Sequence, residues 1–312
     1  MTLFRKKPAA AAASSASGDA LGKDANIAML LKERNANNAW HKLARNKTAL
    51  VGFFIVAFMV ILAVFAPLIA PYDPNAINPV LPFKGIGTLG HLFGTDDLGR
   101  DILSRIIYGS RVSMIVAVGA TIVGAIIGVL IGLTAGYFGG WIDSVLMRVM
   151  DGMFSFPFIL LAMILITVLG NGVMNVILAI GIASVPGFAR VTRGQVLIVK
   201  EEEYCNACRV VGVSPVRLLF LHILPNCVSQ IIVYATLRIA SAIISEASLS
   251  FLGLGIALPT ASWGSILRVG RDCLTTAPHV AGTAGAFILV TVIGFNLLGD
   301  GIRDVMDPKM KQ

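Results

Sequence analysis

Apolar residues fall into six long runs separated by polar stretches, and the run lengths set the architecture. The runs cover about Thr48–Ala70, Val112–Gly136, Val145–Leu169, Val173–Ala189, Cys227–Leu249 and Val280–Leu298. Each approaches or exceeds the roughly 20 residues that a helix needs to cross a bilayer. A chain in lipid must satisfy its backbone hydrogen bonds internally, so the pattern predicts an all-α integral membrane protein of six transmembrane helices. Pro67 and Pro71 mark the exit of the first span, and Pro157 predicts a kink in the third. Arg148 and Asp151, one turn apart near the start of that span, are placed to pair. Gly124, Gly128, Gly132 and Gly136 recur at four-residue spacing in the second span. They form a smooth ridge that permits close helix packing, either within the chain or across a dimer interface.

The polar stretches differ from one another. Residues 1–47 are rich in Ala, Ser, Asn and Lys and read as a largely disordered tail. The tail ends in a basic interfacial segment, Trp40–Lys47. Glu201–Asn226 combines polar residues with helix signals and predicts two short helices. Glu201, Glu202 and Glu203 suit the positive end of the first helix. Gly212 suits the left-handed position after its last turn. Ser214 reads as the N-cap of the second helix, Pro215 as its first residue, and Pro225 as its end. Val213 and Leu218 have the spacing of a hydrophobic staple. A capped helical pair between spans needs a partner to dock against.

Composition agrees with a membrane protein: 56% of residues are hydrophobic, 13% are charged, and the mean hydropathy is +0.82. The net charge of +8 reflects Lys and Arg flanking the spans rather than a nucleic-acid surface. The first 47 residues hold nine Lys/Arg, residues 190–226 five and the end from Arg303 three, against three in 71–110 and two in 250–279. By the positive-inside rule both termini and Glu201–Asn226 are cytoplasmic, and residues 71–111 and 250–279 face outward. The domain layout is then a cytoplasmic tail over 1–47, a permeating domain over 48–302 and a short tail over 303–312.

Catalytic signals are weak. His41, His91, His222 and His279 are scattered over loops and interfaces, and no G-x-x-x-x-G-K-[ST] phosphate loop is present. Cys205 and Cys208 form one C-x-x-C without a second pair, which reads as two small residues on a docking helix; no metal site is expected. Arg238, near the middle of the fifth span, and Glu246, two turns on and near its outer end, are the intramembrane ionisable residues to explain. They line a polar pathway or contact each other, or else Arg238 satisfies backbone carbonyls while Glu246 sits in the outer interface.

Three stretches carry a family resemblance. Phe93–Arg111 (FGTDDLGRDILSRIIYGSR), Ser248–Gly255 (SLSFLGLG) with Trp263-Gly264, and Phe295–Lys309 (FNLLGDGIRDVMDPK) resemble the C-type permease subunit of dipeptide, oligopeptide and nickel ABC importers. The Glu201–Asn226 stretch resembles the cytoplasmic E-A-A-x-x-x-G loop of such permeases. Here Asn206 and Cys208 replace the Glu and second Ala, Ala207 and Gly212 match, and His222–Asn226 (HILPN) closes the loop. The resemblance covers the chain from about Trp40 to its end. It implies a type I importer permease fold in a bacterial inner membrane. It also implies a second homologous permease, two cytoplasmic ATPases that bind ATP and Mg²⁺, and an extracytoplasmic substrate-binding protein. The ATPases would dock on Glu203, Tyr204, Asn206, Ala207, Cys208, Gly212, Ser214 and Pro215. No cofactor and no enzymatic reaction are implied for this chain. The rival classes are a stand-alone secondary transporter, which would show internal repeats and more intramembrane carboxylates, and an intramembrane enzyme, which would show a catalytic pair within the spans. Dipeptides, longer peptides, glutathione and nickel chelates all suit subunits of this kind; the stretch Arg238–Gly255 looks closest to the glutathione- and dipeptide-type members.

Overall fold

The computed structural model describes residues 46–306 apart from Leu89. The reading of residues 1–45 as a tail, most of the Trp40–Lys47 segment included, lies outside the described residues. In order, the helices are α1 (Lys47–Val64), α2 (Ala66–Ile69), α3 (Ile102–Phe138), α4 (Gly140–Phe154), α5 (Phe158–Leu169), α6 (Val173–Val199), α7 (Glu203–Val210), α8 (Pro215–Leu218), α9 (Leu224–Phe251), α10 (Trp263–Asp272) and α11 (Pro278–Met306). Among the described residues five helical segments are long and apolar enough to cross a membrane, and a bent pair, α4 with α5, supplies a sixth.

The third span is the one least like a straight helix. Pro157 is the N-cap of α5, and α4 and α5 meet at 91° across Ser155–Pro157. Proline offers no N–H and disfavours the helical conformation of the residue before it, so the predicted kink becomes a right-angle break. Two ion pairs hold α4 against α6. Arg193 grips Asp143 through Nε and Nη2 at 2.5 and 2.6 Å, and Arg190 Nη2 meets Asp151 at 2.8 Å. Asp151 therefore pairs across helices with Arg190, not with Arg148, because the break turns it towards α6.

The glycine ridge of α3 lies against α6 of the same chain. A Cβ at Gly124 would come 2.9 Å from Ser184 Cβ, at Gly128 2.5 Å from Phe188 Cβ, at Gly132 2.7 Å from Thr192 Cβ, and at Gly136 2.8 Å from Val196 Cβ. The facing residues on α6 also recur every four positions, so two such rows interlock. That face is filled from within and is not open to a second copy. Gly128→Ala should destabilise the protein by about 1–3 kcal/mol, the usual cost of overpacking. The check is a lowered thermal midpoint of the purified protein in detergent; an unchanged midpoint would mean that α6 yields freely.

The first span divides into α1 and the short α2, and the second, fourth, fifth and sixth run beyond the predicted apolar runs. Helix α3 begins ten residues earlier, at Ile102, so part of the expected outward segment is helical. Asp101 caps it: one carboxylate oxygen accepts from Ser104 N–H and Ser104 Oγ at 2.7 Å each, and the other lies 2.9 Å from His91 Nδ1. Asp101→Ala should cost about 0.5–2 kcal/mol, as N-cap removal does, again read as a thermal midpoint. At the other end of α3, Lys200 Nζ donates to Gly136 O at 3.0 Å, a cation placed on the negative end of the helix. Helix α11 continues to Met306, so residues 303–306 extend the last span instead of starting a tail. The expected outward segment 250–279 contains helix α10, whose N-terminus has a reciprocal capping box between Ser262 and Ser265.

Candidate coupling surface and intramembrane polar sites

The segment from Glu203 to Leu218 forms a small unit at one end of α6 and α9. Helix α7 is eight residues long and buries one side chain, Cys205, whose Sγ reaches Val199 O at 3.3 Å. Its C-terminus closes as a Schellman motif: Val213 N–H donates to Cys208 O at 3.0 Å and Gly212 N–H to Arg209 O at 3.1 Å. Gly212 takes φ +82°, the left-handed conformation that its place in the sequence predicts. Leu218 is buried, and Val213 packs on the same apolar cluster as Leu218, Cys205 and Ile223. The staple spacing is thus realised as a shared contact surface.

Two details differ from the sequence reading. Ser214 occupies the N-cap position in an extended conformation, but its side chain makes no capping hydrogen bond. Pro225 does not end a second short helix. Helix α8 passes through a π-helical stretch, Leu219–Ile223, into α9, so Pro215–Phe251 is one continuous helical segment. Pro225 sits in the first turn of α9, just after the wider turn, where its missing N–H does least harm.

The consequence is mechanical. Helix α7 joins a stiff rod that reaches the far side of the bundle. Its outward face carries Glu203, Tyr204, Asn206, Ala207, Val210 and Val211, the last two 89% and 82% exposed. Val216 on α8 and Leu221 beyond it add apolar surface. Asn206 and Tyr204 are also tied locally: Arg209 Nη1 donates to Asn206 Oδ1 at 2.9 Å, and Asn226 Nδ2 donates to Tyr204 OH at 3.1 Å. Desolvation, with Cys205 beside it, pushes the Tyr204 hydroxyl up to about 12, so it keeps its proton. Cys208 is half-buried under the helix, and no group of His, Cys, Asp and Glu among the described residues could hold a metal.

Arg238 and Glu246 do not meet. Arg238 Nη2 donates to Ser184 Oγ at 3.0 Å, and its guanidinium lies 4.9 Å from the Phe158 ring centre. The carboxyl of Glu246 is wholly buried inside the protein. It accepts hydroxyl hydrogen bonds from Ser113 on α3 at 3.0 Å, Ser250 on α9 at 2.9 Å and Ser262 at the start of α10 at 3.0 Å. Each serine oxygen in turn accepts a backbone N–H: Ser113 from Trp263, Ser250 from Ile256 and Ser262 from Ser265. Glu246 therefore fixes three chain segments through three two-sided hydroxyls. Trp263 completes the joint, donating its indole N–H to Ile106 O at 3.1 Å, while Gly109 and Gly264 leave no room for side chains beside it.

Two of the three stretches that carry the sequence resemblance, Phe93–Arg111 and Ser248–Gly255 with Trp263-Gly264, meet at this joint. Sequence reasoning singled out Glu246 but missed Ser113 and Ser262. The capping pattern Ser262-x-x-Ser265 and the serine four residues after Glu246 were the available signals. A second buried group involves the other half of the same signature. Asp96 accepts Arg100 Nε at 2.7 Å and the N–H groups of Leu98 and Arg100 at 3.0 and 2.9 Å. Arg105 Nη1 donates to Pro74 O at 2.9 Å. The Asp, Gly and Arg of GTDDLGRD thus serve to fold a loop over the end of α3.

Comparison with known proteins agrees with this geometry. Residues 128–312 match the family model described as the binding-protein-dependent transport system inner membrane component, and residues 36–82 match the N-terminal transmembrane domain of oligopeptide transport permease C. The glutathione transport system permease protein GsiD of Escherichia coli O6:K15:H31 is 44% identical over 290 residues, 92% of this chain and 96% of the relative. Its counterpart in Shigella flexneri serotype 5b is 45% identical over the same length. A subunit of the inward-facing MetNI methionine ABC transporter shares the fold with a TM-score of 0.52 at 19% identity, covering 65% of this chain and 96% of that one. Matched over more than half its length by the family model and across nine-tenths of it by GsiD relatives, the chain belongs to the binding-protein-dependent transport system inner membrane components, as a C-type permease subunit of an ABC importer.

Proposed function

We propose that this subunit pairs with a second, homologous permease, and that the two together enclose the translocation route. Two ATP-binding subunits dock beneath the pair, one of them on α7 and the start of α8. ATP and Mg²⁺ are held there, and this chain carries no cofactor. An extracytoplasmic binding protein delivers the cargo. Both termini and the α7–α8 unit are cytoplasmic, with residues 71–101 and 252–277 outside, as the distribution of Lys and Arg supports. The cargo is a short peptide or a peptide-like compound, glutathione among them; the GsiD relatives support that class by name.

The observation that carries the reading is the shape of the coupling unit. Helix α7 buries one side chain, exposes two valines almost fully, and is rigidly capped onto a continuous helix that crosses the bundle. A surface of that kind on a stiff lever suits transmission of a partner's motion. Purification of the tagged subunit from membranes in mild detergent tests it. Two ATPase chains and a second permease should accompany it. Active uptake by this chain alone in liposomes would favour a stand-alone secondary transporter instead.

A further inference from the structure

An arginine in the middle of a membrane span is costly unless it meets water or an anion. Among the described residues Arg238 makes no ion pair with a carboxylate. Its hydrogen bond to Ser184 Oγ at 3.0 Å uses one of the guanidinium's five N–H donors, and its buried Nε–H has no partner. Nε is closed off, so the donors left for a guest are those of the two Nη atoms.

The surroundings are built for a charged guest. On α6, Ser184, Gly187 and Arg190 fall at three-residue spacing and share one face. Gly187 has no side chain there because Tyr234 of α9 occupies the space, its ring set edge-on 4.8 Å from Phe188. Phe158 stacks on Arg238, and Phe154 stacks on Arg190 at 4.4 Å. Arg190 is already neutralised by Asp151 at 2.8 Å, in a pair 57% exposed on both sides. One positive charge is therefore left over, on Arg238, at the break between α4 and α5.

We propose that Arg238 is a recognition point for a carboxylate of the transported substrate, met where the third span breaks. The proposal rests on the permease reading above and sharpens it. A guanidinium fork with free donors, an adjacent serine hydroxyl and aromatic walls matches the planar, two-oxygen geometry of a carboxylate. The same surplus of positive charge disfavours a bare metal cation as cargo.

The test uses the complete importer, this subunit with its partner permease, ATPases and binding protein, in proteoliposomes. Uptake of glutathione is compared with uptake of its glycine amide, which lacks one carboxylate, for the wild type and for Arg238→Gln. Comparing the acid-to-amide ratio between wild type and variant cancels any preference of the binding protein. The acid-to-amide ratio is expected to fall about tenfold or more in Arg238→Gln, chiefly through loss of acid uptake. Arg238→Lys, which keeps the charge and loses the fork, should retain part of the preference. An equal loss of both substrates in Arg238→Gln, with Arg238→Lys likewise impaired for both, would overturn the proposal and assign Arg238 to packing. An unchanged ratio in an active variant would overturn it too. Absence of ATP- and binding-protein-dependent uptake of either substrate by the wild-type assembly would instead sink glutathione as the cargo, and this inference as stated for it, while the subunit's place in a peptide importer would stand.

Discussion

Gly212→Val should lower uptake about tenfold or more while the subunit stays in the membrane at its normal level. The reason is conformational alone. Gly212 has φ +82°, and a Cβ built on it would meet nothing within 4 Å. No clash is created, so the cost is that of forcing a β-branched residue into the left-handed region, about 1–3 kcal/mol. That exceeds what the end of an eight-residue helix can absorb, and the Schellman hydrogen bonds from Val213 and Gly212 are the ones to break. The bundle is spared because Cys205 is the one side chain that α7 buries fully in it. With its C-terminus loosened, α7 no longer moves as one body with the helix that begins at Pro215. ATP hydrolysis in the assembled importer should continue while uptake falls about tenfold or more. Gly212→Asn is the control, since asparagine tolerates the left-handed region, and it should keep most of the transport. Normal uptake by the valine variant would show that a stiff α7 cap is dispensable.

Glu246→Ala should be the most damaging single change within the spans. It removes the acceptor shared by Ser113, Ser250 and Ser262 and leaves three buried hydroxyls without their common partner. The expected loss is on the order of 1–3 kcal/mol, the range for leaving buried hydrogen-bonding groups without their partner. Each hydroxyl also fixes a backbone N–H, so the joint between α3, α9 and α10 should loosen as a unit. Glu246→Gln retains an acceptor oxygen and should cost markedly less. Thermal unfolding of the purified protein reads the stability, and protease sensitivity around Trp263 reads the joint. Equal midpoints for wild type and Glu246→Ala would mean that this network is not structural.

The spans were legible because lipid leaves a chain few choices: a run of some twenty apolar residues must be helical. The glycine ridge was legible as a packing face for the same elementary reason, although its partner was not. Only the fold shows that Ser184, Phe188, Thr192 and Val196 supply the matching row. Helix ends were less legible, since hydropathy ceases to report where a helix leaves the apolar layer. Helix α3 starts at Ile102 because Asp101 caps it, and α11 runs on to Met306 through polar residues. Pro225 misled for a related reason. A proline in the first turn of a helix can read as the end of the one before, and nothing local announces the π-helical stretch that carries α8 into α9. In the candidate sites, single residues could be named but their partners could not. Glu246 and Ser262 are 16 positions apart, Ser113 and Glu246 133, and Arg238 and Ser184 54, distances over which periodicity carries no information.

If an ATP-binding subunit docks on α7, the exposed side chains of that helix lie against it. Ala207 is exposed on it, between buried Cys205 and half-buried Cys208. A cysteine at Ala207, with Cys208 replaced by alanine, can be treated in native membranes with a short bifunctional maleimide. The expected product is an adduct of the size of this subunit plus one ATP-binding subunit, recognised by antibody to the latter and altered in yield by ATP. An adduct with the extracytoplasmic binding protein, or none with an ATPase from any exposed position of α7, would contradict that docking.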